Sequence, residues 1–335
     1  MSGFDEPTIN DVAAMAGVSI RTVSRVLNRS TKVNAATREK IEAAIAALDF
    51  RPSSRARALA MGRSLLIGLV HNDRNALVLD SLQRGIAAEA SAQGYELIVH
   101  SVPGEQVVGD VLAFARRSRV DGLVIVQPVA GAAGLADALV AEGVPAVCLS
   151  SVPVEGYAGV ILSGERAASA EVARFLVGLG HRRIAMIAGP ADVASAQERK
   201  AGFMAGLAEH GLELVALAEG DYGFASGLAA AEALLDGATR PSAIFACNDM
   251  MAAAVLKAAA ARGLAVPRDL SVVGFDGSML AQIVTPALTT VHRPFGEMAQ
   301  AATRALLDTL AGVEVVPVEP LPLRLIVAES TAVKA

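Results

Sequence analysis

Two hydrophobic patterns divide the chain. In residues 8–50, apolar residues recur every three or four positions, which is the spacing of one face of an α-helix. From Leu65 onward, short apolar stretches of strand character alternate with amphipathic helices. Alternating strands and helices predict parallel sheets covered by helices on both faces. The fold class expected is therefore a small all-α head followed by a larger α/β core.

The first pattern predicts three short helices. One follows the N-cap residue Thr8 and ends at Gly17. Ser19 caps a second helix that runs to about Asn28, and a third begins near Ala35. Two short helices joined by a tight turn form the helix-turn-helix pattern, so residues 1–50 are predicted to be a three-helix head. The basic, alanine-rich segment 51–63 has no apolar stripe, and we expect a linker that is able to form a short helix.

The second pattern predicts eight strands. Helices such as Asp80–Ala92 and Glu165–Leu179 separate most of them. The predicted strands are 65–70, 95–101, 121–126, 145–150, 183–189, 212–218, 242–249 and 270–276. They form two successive sets, the second opening near Gly164, and indicate two similar subdomains. Parallel sheets bind ligands at the carboxyl ends of their strands, so two facing sheets would hold a ligand in the cleft between them.

Composition narrows the class of protein. The 335 residues are 53% hydrophobic and contain no Trp. No apolar run approaches the length of a membrane span, and the acidic start "MSGFDEPTIND" differs from a signal peptide, which predicts a cytoplasmic protein. Cys148 and Cys247 lie in strand-like runs and are expected to be buried free thiols.

The net charge of −5 is unevenly distributed. Residues 1–63 contain ten Lys and Arg against six Asp and Glu, a balance of +4, so the remainder carries −9. A small basic head on an acidic body is expected when only the head touches a polyanion.

The polar face of the predicted second helix, "GVSIRTVSRVLN", has two interpretations. Arg21 could bind guanine and Ile20 could contact a thymine methyl group, while neighbouring polar side chains bind phosphates or bases. Alternatively, the face is simply the solvated side of a structural helix. The helix alone does not decide between them.

The sequence around this helix favours the DNA-binding interpretation. The head "TINDVAAMAGVSIRTVSRVLN…VNAATREKIEAAIAALDFRPSSRARALA" resembles that of the LacI/GalR family of bacterial transcription regulators. The resemblance continues through "LGHRRIAMIAGP", "QERKAGFMAGL", "AIFACNDMMAAAVLKAAAARGLAVPRDLSVVGFD" and "TPALTTVHRP". It implies a dimeric repressor with a head that binds a palindromic operator. It also implies a core like that of periplasmic sugar-binding proteins.

The resemblance assigns residues to DNA binding. Ile20, Arg21 and Arg25 match base-reading positions, and Leu59 matches a leucine that wedges into the minor groove, where an apolar side chain unstacks a base step. Ser53 replaces the usual Asn after the proline, so the phosphate contacts there are expected to differ. The complete predicted set is Thr8, Ser19, Ile20, Arg21, Thr22, Ser24, Arg25, Asn28, Thr37, Ser53, Arg57 and Leu59.

The resemblance also assigns an effector site in the core. The predicted residues are Asp73, Gln127, Arg199, Tyr222, Asn248 and Asp276. Arg, amide and carboxylate groups suit sugar hydroxyls, and an aromatic ring stacks on the apolar face of a sugar. The alternative for each is a structural cap or an ion pair between subdomains. Gly164 stands where the resemblance implies an effector-binding aspartate, and we expect the adjacent Glu165 to point elsewhere.

Catalytic readings find little support. No GxGxxG follows a strand, no GxxxxGK[ST], GxSxG or HExxH occurs, and the five histidines lack ligand spacing. His181 is expected to interact with a helix C-terminus. We therefore predict no enzyme, no cofactor and no metal. A sugar-binding protein without DNA function is the alternative, and the basic head argues against it.

The sequence thus predicts an effector-controlled repressor of a carbohydrate-utilisation operon. Residues 64–335 form the core, with one subdomain of about 64–163 and 293–325 and another of about 164–292 and 326–335. The expected partners are operator DNA, a saccharide effector and a second copy of the chain. The end at "ESTAVKA" has no leucine heptad, which favours a dimer over a tetramer.

Overall fold

The computed structural model describes residues 7–27, 32–50, 62–72, 75–102, 104, 106–313 and 320–334. The chain divides into two compact units, Met1–Leu65 and Leu66–Ala335. The smaller unit is helical and the larger one is α/β, so the predicted fold class is confirmed. Within the described residues, no helix is long and apolar enough to cross a membrane.

The smaller unit is a three-helix head. Its helices are α1 (Ile9–Ala16), α2 (Ile20–Leu27) and α3 (Ala35–Ala47). Val12, Val23 and Ile41 contribute one fully buried side chain from each helix. Gly17 adopts the left-handed conformation that ends α1, and its N–H group donates to carbonyls of that helix. The head thus has its own apolar core.

The larger unit alternates strands and helices. Its first half contains β1 (Leu66–His71), α4 (Ala76–Ala92), β2 (Glu96–Ser101), α5 (Val107–Ser118), β3 (Gly122–Val126), α6 (Leu135–Ala141), β4 (Ala146–Ser150) and β5 (Gly159–Leu162). Its second half begins with α7 (Glu165–Gly178), β6 (Ile184–Ala188), α8 (Ala194–Ala208), β7 (Ala216–Glu219), α9 (Phe224–Asp236), β8 (Ala243–Ala246), α10 (Asp249–Ala261) and β9 (Ser271–Val273). It ends with α11 (Met279–Ile283), β10 (Thr290–His292), α12 (Phe295–Ala311) and β11 (Arg324–Ile326).

Two parallel sheets organise this unit. The first has the strand order β2-β1-β3-β4-β5 and the second has the order β7-β6-β8-β9. Helix α12 packs against α4, β3, β4 and β5, so the chain returns to the first sheet after building the second. β10 and β11 form a separate antiparallel pair. The second sheet has a deep core, because every residue of β6 and β8 is buried.

All eight predicted strands are present, but three further strands were not predicted. β5, β10 and β11 contain only three or four residues each, too few for a periodic pattern to develop. The prediction for β7 was wrong at its start, because the strand begins at Ala216 and not at Leu212. Leu212, Leu214 and Val215 pack against the apolar core before strand pairing starts, which explains their strand-like hydrophobicity.

Both cysteines are buried free thiols, as predicted. Burial raises the pKa of Cys148 to about 12 and that of Cys247 to about 11. Neither thiol is therefore ionised near neutral pH, and both act as small apolar core groups.

Candidate functional site

The N-termini of α1 and α2 show the local interactions that the sequence predicts. The backbone N–H and the hydroxyl of Thr8 both donate to Asp11 Oδ2, at 2.8 and 2.7 Å. These hydrogen bonds lower the pKa of Asp11, which stays ionised at the positive end of the helix dipole. At α2, Ser19 Oγ accepts from the Thr22 backbone N–H at 3.2 Å. Both helices of the pair therefore begin at the predicted caps.

Helix α2 separates its two faces cleanly. Val23 and Val26 are buried in the head, whereas Arg21 and Arg25 are exposed four residues apart on one side. Ile20 is 49% exposed at the first helical position of α2. An exposed surface with two guanidinium groups and one apolar tip suits the contacts that a helix makes in the major groove.

The remaining predicted DNA-binding residues are distributed around this helix. Thr22 and Ser24 are half-buried on α2. Thr37 lies in the first turn of α3, where its N–H donates to the N-cap Asn34 at 2.8 Å. Asn28, Ser53, Arg57 and Leu59 lie outside the described residues, as does Asp73 of the predicted effector set.

The larger unit contains a cavity of about 610 Å³ at the carboxyl ends of both sheets. Asn72, Gln127 and Ser150 reach it from the ends of β1, β3 and β4. Asn248 and Asp276 reach it from the ends of β8 and β9. The cleft that was inferred from two facing sheets is therefore present, and its volume is in the range of small-molecule sites.

All five predicted effector residues that the structure describes line this cavity. They are Gln127, Arg199, Tyr222, Asn248 and Asp276. They span 149 residues of sequence, from Gln127 to Asp276. They line the same cavity because they lie at or near the carboxyl ends of the strands. Their role in binding remains a prediction.

Asn248 joins two of these elements. Its Oδ1 accepts from the Met251 N–H at 2.9 Å and caps α10, while its Nδ2 donates to the carbonyl of Tyr222 at 2.9 Å. Tyr222 has a left-handed φ of +68°, and its hydroxyl lies 3.4 Å from that of Ser195. Burial raises the pKa of Tyr222, so its hydroxyl keeps its proton and can donate to a ligand.

Arg199 and Asp276 form a buried ion pair, with 3.4 Å between Arg199 Nη2 and Asp276 Oδ1. Arg199 also donates through Nη1 to the carbonyl of Cys247. Burial opposes ionisation of Arg199, but the nearby Tyr222, Asp276 and Glu165 groups raise its pKa above the ordinary value. The guanidinium therefore stays charged. The alternative of an ion pair for these two residues is therefore present in the structure. Arg199 Nε has no hydrogen-bond partner among the described residues.

Two further charged residues belong to this wall. Arg293 lines the cavity, and its Nη2 lies 2.9 Å from Glu165 Oε1. Glu165 does not line the cavity, in agreement with the expectation that it points elsewhere. Its fully buried carboxylate lies behind the two arginines, 2.9 Å from Arg293 Nη2 and 4.0 Å from Arg199 Nη2. A Glu at a helix N-terminus is so common that the sequence pattern gave no signal for this role. Gly164 itself has open space where a side chain would stand.

His181 differs from its predicted role. Its ring is buried between two serines, 3.0 Å from Ser242 Oγ through Nδ1 and 3.0 Å from Ser271 Oγ through Nε2. Burial lowers its pKa, so the neutral imidazole links the start of β6 to β8 and β9. Only the backbone N–H of His181 contacts a helix C-terminus, where it donates to the Leu176 carbonyl of α7 at 3.1 Å. Among the described residues, no group of His, Cys, Asp and Glu could hold a metal ion.

Known protein families match both the helical head and the α/β core. A family model described as "Bacterial regulatory proteins, lacI family" matches residues 8–53, and one described as "Periplasmic binding protein-like domain" matches residues 173–331. The ribose operon repressor of Escherichia coli (strain K12) is 34% identical over 306 residues, covering 90% of this chain and 93% of that protein.

Solved structures give the same picture over nearly the whole chain. The lac repressor dimer bound to operator and the anti-inducer ONPF has a TM-score of 0.82 at 32% identity, covering 98% of this chain and 100% of that one. The complex of the transcriptional regulator CelR with cellobiose has a TM-score of 0.72 at 31% identity, covering 97% and 99%. With a helix-turn-helix head, a two-sheet core and relatives that are transcriptional regulators rather than enzymes, this chain belongs to the lacI family of bacterial regulatory proteins.

Proposed function

We propose that this protein is a dimeric repressor of a carbohydrate-utilisation operon, and that a saccharide bound in the cleft controls its affinity for operator DNA. One observation carries the proposal. A single chain combines a head that exposes Ile20, Arg21 and Arg25 on one helix with a cleft lined by Arg199, Asn248 and Asp276. The first set suits base edges and phosphates, and the second suits hydroxyl groups.

In the DNA-binding half, residues 1–50 act as the head and 51–63 as the hinge. Ile20, Arg21 and Arg25 contact base edges, while the hydroxyl groups of α2 and α3 contact phosphates. Two heads of a dimer then occupy half-sites about one helical turn apart. The lac repressor, to which the chain is similar, was solved as a dimer bound to operator, which supports this arrangement.

In the effector-binding half, the similar proteins point to sugars. One relative is named for a ribose operon, and one similar structure holds cellobiose. The cavity of about 610 Å³ accepts a ligand of monosaccharide or disaccharide size. Its donors and acceptors lie beside the rings of Tyr222, Phe224 and Phe295, which suit the apolar face of a sugar.

Control of DNA binding requires only that the effector prefer one arrangement of the core. A ligand shifts an equilibrium between two states by its difference in affinity for them. We expect a change in cleft geometry to alter how the two hinges of a dimer pair on the operator.

The test is a gel-shift titration on the DNA upstream of the protein's own gene, with and without a panel of neutral sugars. Sequence-selective, salt-sensitive binding that one sugar alters is the expected result. A thermal-shift screen identifies that sugar, because a ligand of the folded state raises its stability. A chain that binds sugar but no operator at any salt concentration would contradict the proposal and support a sugar-binding protein without DNA function.

A further inference from the structure

Four charged side chains form a cluster at the inner wall of the cleft, and three of them, Arg199, Asp276 and Arg293, line the cavity. Glu165 Oε1 lies 2.9 Å from Arg293 Nη2 and 4.0 Å from Arg199 Nη2. Asp276 Oδ1 lies 3.4 Å from Arg199 Nη2 and 3.7 Å from Arg293 Nη1. Each guanidinium therefore contacts both carboxylates, and the two positive charges are matched by two negative ones.

The position of Glu165 is fixed from its other side. The Ser163 hydroxyl lies 2.8 Å from each of the two Glu165 carboxylate oxygens, and Arg293 Nη2 donates to that hydroxyl at 3.3 Å. The Glu165 side chain is completely buried and does not line the cavity. It acts on any ligand only through the arginines in front of it.

The arginines are equally constrained, yet each has an unused donor. The Arg199 guanidinium carbon lies 3.9 Å from the centre of the Phe275 ring, and that of Arg293 lies 4.4 Å from the centre of the Phe295 ring. The Nε atoms of both arginines are buried without a hydrogen-bond partner among the described residues. Since both Nε atoms are buried, a ligand in the cavity meets these arginines at their other guanidinium N–H groups, which donate to acceptor oxygens.

The charge balance decides which acceptors. The two arginines are already neutralised by Glu165 and Asp276, and Asp192 and Asp221 add further carboxylates to the lining. A phosphate or carboxylate on the ligand would enter a region whose described charges are already balanced or negative. Hydroxyl oxygens accept the same hydrogen bonds without that cost.

We propose that Glu165 is a positioning residue that makes the cleft selective for neutral polyhydroxylated ligands over phosphorylated or carboxylated ones, with Arg293 as the ligand-contacting group that it holds. The inference rests on the proposed function, since it assumes that the cleft binds a saccharide. It names the chemical class of that saccharide and the residue that excludes its anionic counterparts.

The first experiment uses the full-length wild-type protein. Calorimetry compares ribose with ribose 5-phosphate, and cellobiose with its aldonic acid, at constant ionic strength. The expected result is that whichever pair binds, the neutral sugar binds at least about tenfold more tightly, as expected for one unfavourable charge near a protein surface. Equal or tighter binding of the anion would overturn the inference and leave the proposed regulator intact.

The second experiment needs no knowledge of the effector and uses inorganic phosphate as the probe. Glu165→Gln keeps the side-chain shape but leaves two guanidiniums with one carboxylate, so a phosphate site should appear. Thermal unfolding in phosphate and in chloride at equal ionic strength is expected to show at least about tenfold tighter phosphate binding in Glu165→Gln than in wild type.

Two variants serve as controls for this gain. Glu198→Gln removes a carboxylate of the same type from the surface pair that Glu198 forms with Arg166 at 2.7 Å. Glu165→Asp keeps the negative charge in the wall. Neither should gain phosphate affinity. A gain in all three variants, or in none, would show that Glu165 does not control anion selectivity. If Glu165→Gln does not fold, the comparison of neutral and anionic sugars still tests the inference.

A chain that binds no sugar of the panel used to test the proposed function counts against that function alone. The phosphate experiment then still reports on Glu165, because its readout does not depend on a bound sugar. Failure of the inference and failure of the proposed function are thereby distinguished.

Discussion

The ring of Tyr222 lies directly over Gly189, so closely that a Cβ atom on Gly189 would be 2.4 Å from Tyr222 Cζ. Gly189 directly follows β6, and Tyr222 occupies a left-handed backbone position at the edge of the cleft. The absence of a side chain at Gly189 therefore sets where the aromatic ring lies. The Tyr222 hydroxyl lies 3.4 Å from the Ser195 hydroxyl, and this contact also helps to position the ring.

Gly189→Ala should displace the Tyr222 ring and weaken sugar binding about fivefold, because one stacking contact of roughly 1 kcal/mol is lost. Calorimetry with the sugar identified by thermal shift measures the change. Gly109→Ala is the matched control, since a Cβ atom there meets nothing within 4 Å. An unchanged affinity in Gly189→Ala would mean that the ring of Tyr222 does not contact the effector.

The sequence predicted the cleft better than its inner wall. Arg199, Asn248 and Asp276 could be placed because the resemblance to the family assigns them to the effector site, whereas strand periodicity predicted only the sheets and the cleft between them. The contact between Glu165 and Arg293 could not be predicted, because the two residues lie in connections that are far apart in sequence. Ser163, beside Glu165, is 130 residues from Arg293. The strands β5 and β10 that lead into these connections were missed because four and three residues are too few for a periodic pattern.

Asp249 is a buried carboxylate that supports the loop carrying Asp276. It accepts from the N–H and hydroxyl of Ser278 at 2.7 and 2.8 Å and from the Thr290 hydroxyl at 2.6 Å. Asp276 itself has a φ of +107°, a strained value for a residue with a side chain. Burial, with a smaller contribution from the charge of Asp276, raises the pKa of Asp249 to about 7.

This pKa makes stability depend on pH in a defined direction. Between about pH 4 and 7 the folded protein holds a proton on Asp249 that the unfolded chain has released. The contribution of this group to the free energy of unfolding therefore falls as pH rises through that interval, by up to about 4 kcal/mol, and is constant above it.

Urea unfolding of wild type and Asp249→Asn at pH 5 and pH 7.5 measures this contribution. An Asn side chain resembles the protonated acid and does not titrate, so the stability of the variant relative to wild type should be greater at pH 7.5 than at pH 5. The difference between the two proteins removes the contribution of all other titrating groups. Parallel pH dependence in both proteins would contradict the raised pKa.

In the head, Arg21→Ala should weaken binding to the operator by about 1–3 kcal/mol while leaving non-specific DNA binding nearly unchanged. The side chain is exposed on α2, so its removal should not unfold the head. Gel-shift titrations against operator and random DNA at two salt concentrations measure the two affinities. An equal loss on both DNAs would identify Arg21 as a phosphate contact instead of a base contact.

Leu59→Ala tests the hinge contact that the family resemblance implies. If the leucine wedges between base pairs, the variant loses the contacts that stabilise a kinked operator, and specific binding falls far more than non-specific binding. The gel-shift comparison used for Arg21 measures this, together with DNA bending by circular permutation of the binding site. Unchanged bending with unchanged specificity would remove Leu59 from the DNA contacts.

Asn248 carries two hydrogen bonds that different substitutions separate. Oδ1 accepts from Met251 as the cap of α10, and Nδ2 donates to the carbonyl of Tyr222. Asn248→Asp keeps the cap acceptor but places a carboxylate oxygen against that carbonyl, so stability should change little at the cap while the Tyr222 loop moves. Asn248→Ala removes both bonds and should cost about 1 kcal/mol more through the lost cap.

We expect sugar affinity to fall in both variants and the melting temperature to fall further in Asn248→Ala. If Asn248→Asp binds sugar like wild type, the residue serves only as a helix cap, which is the structural alternative for this position.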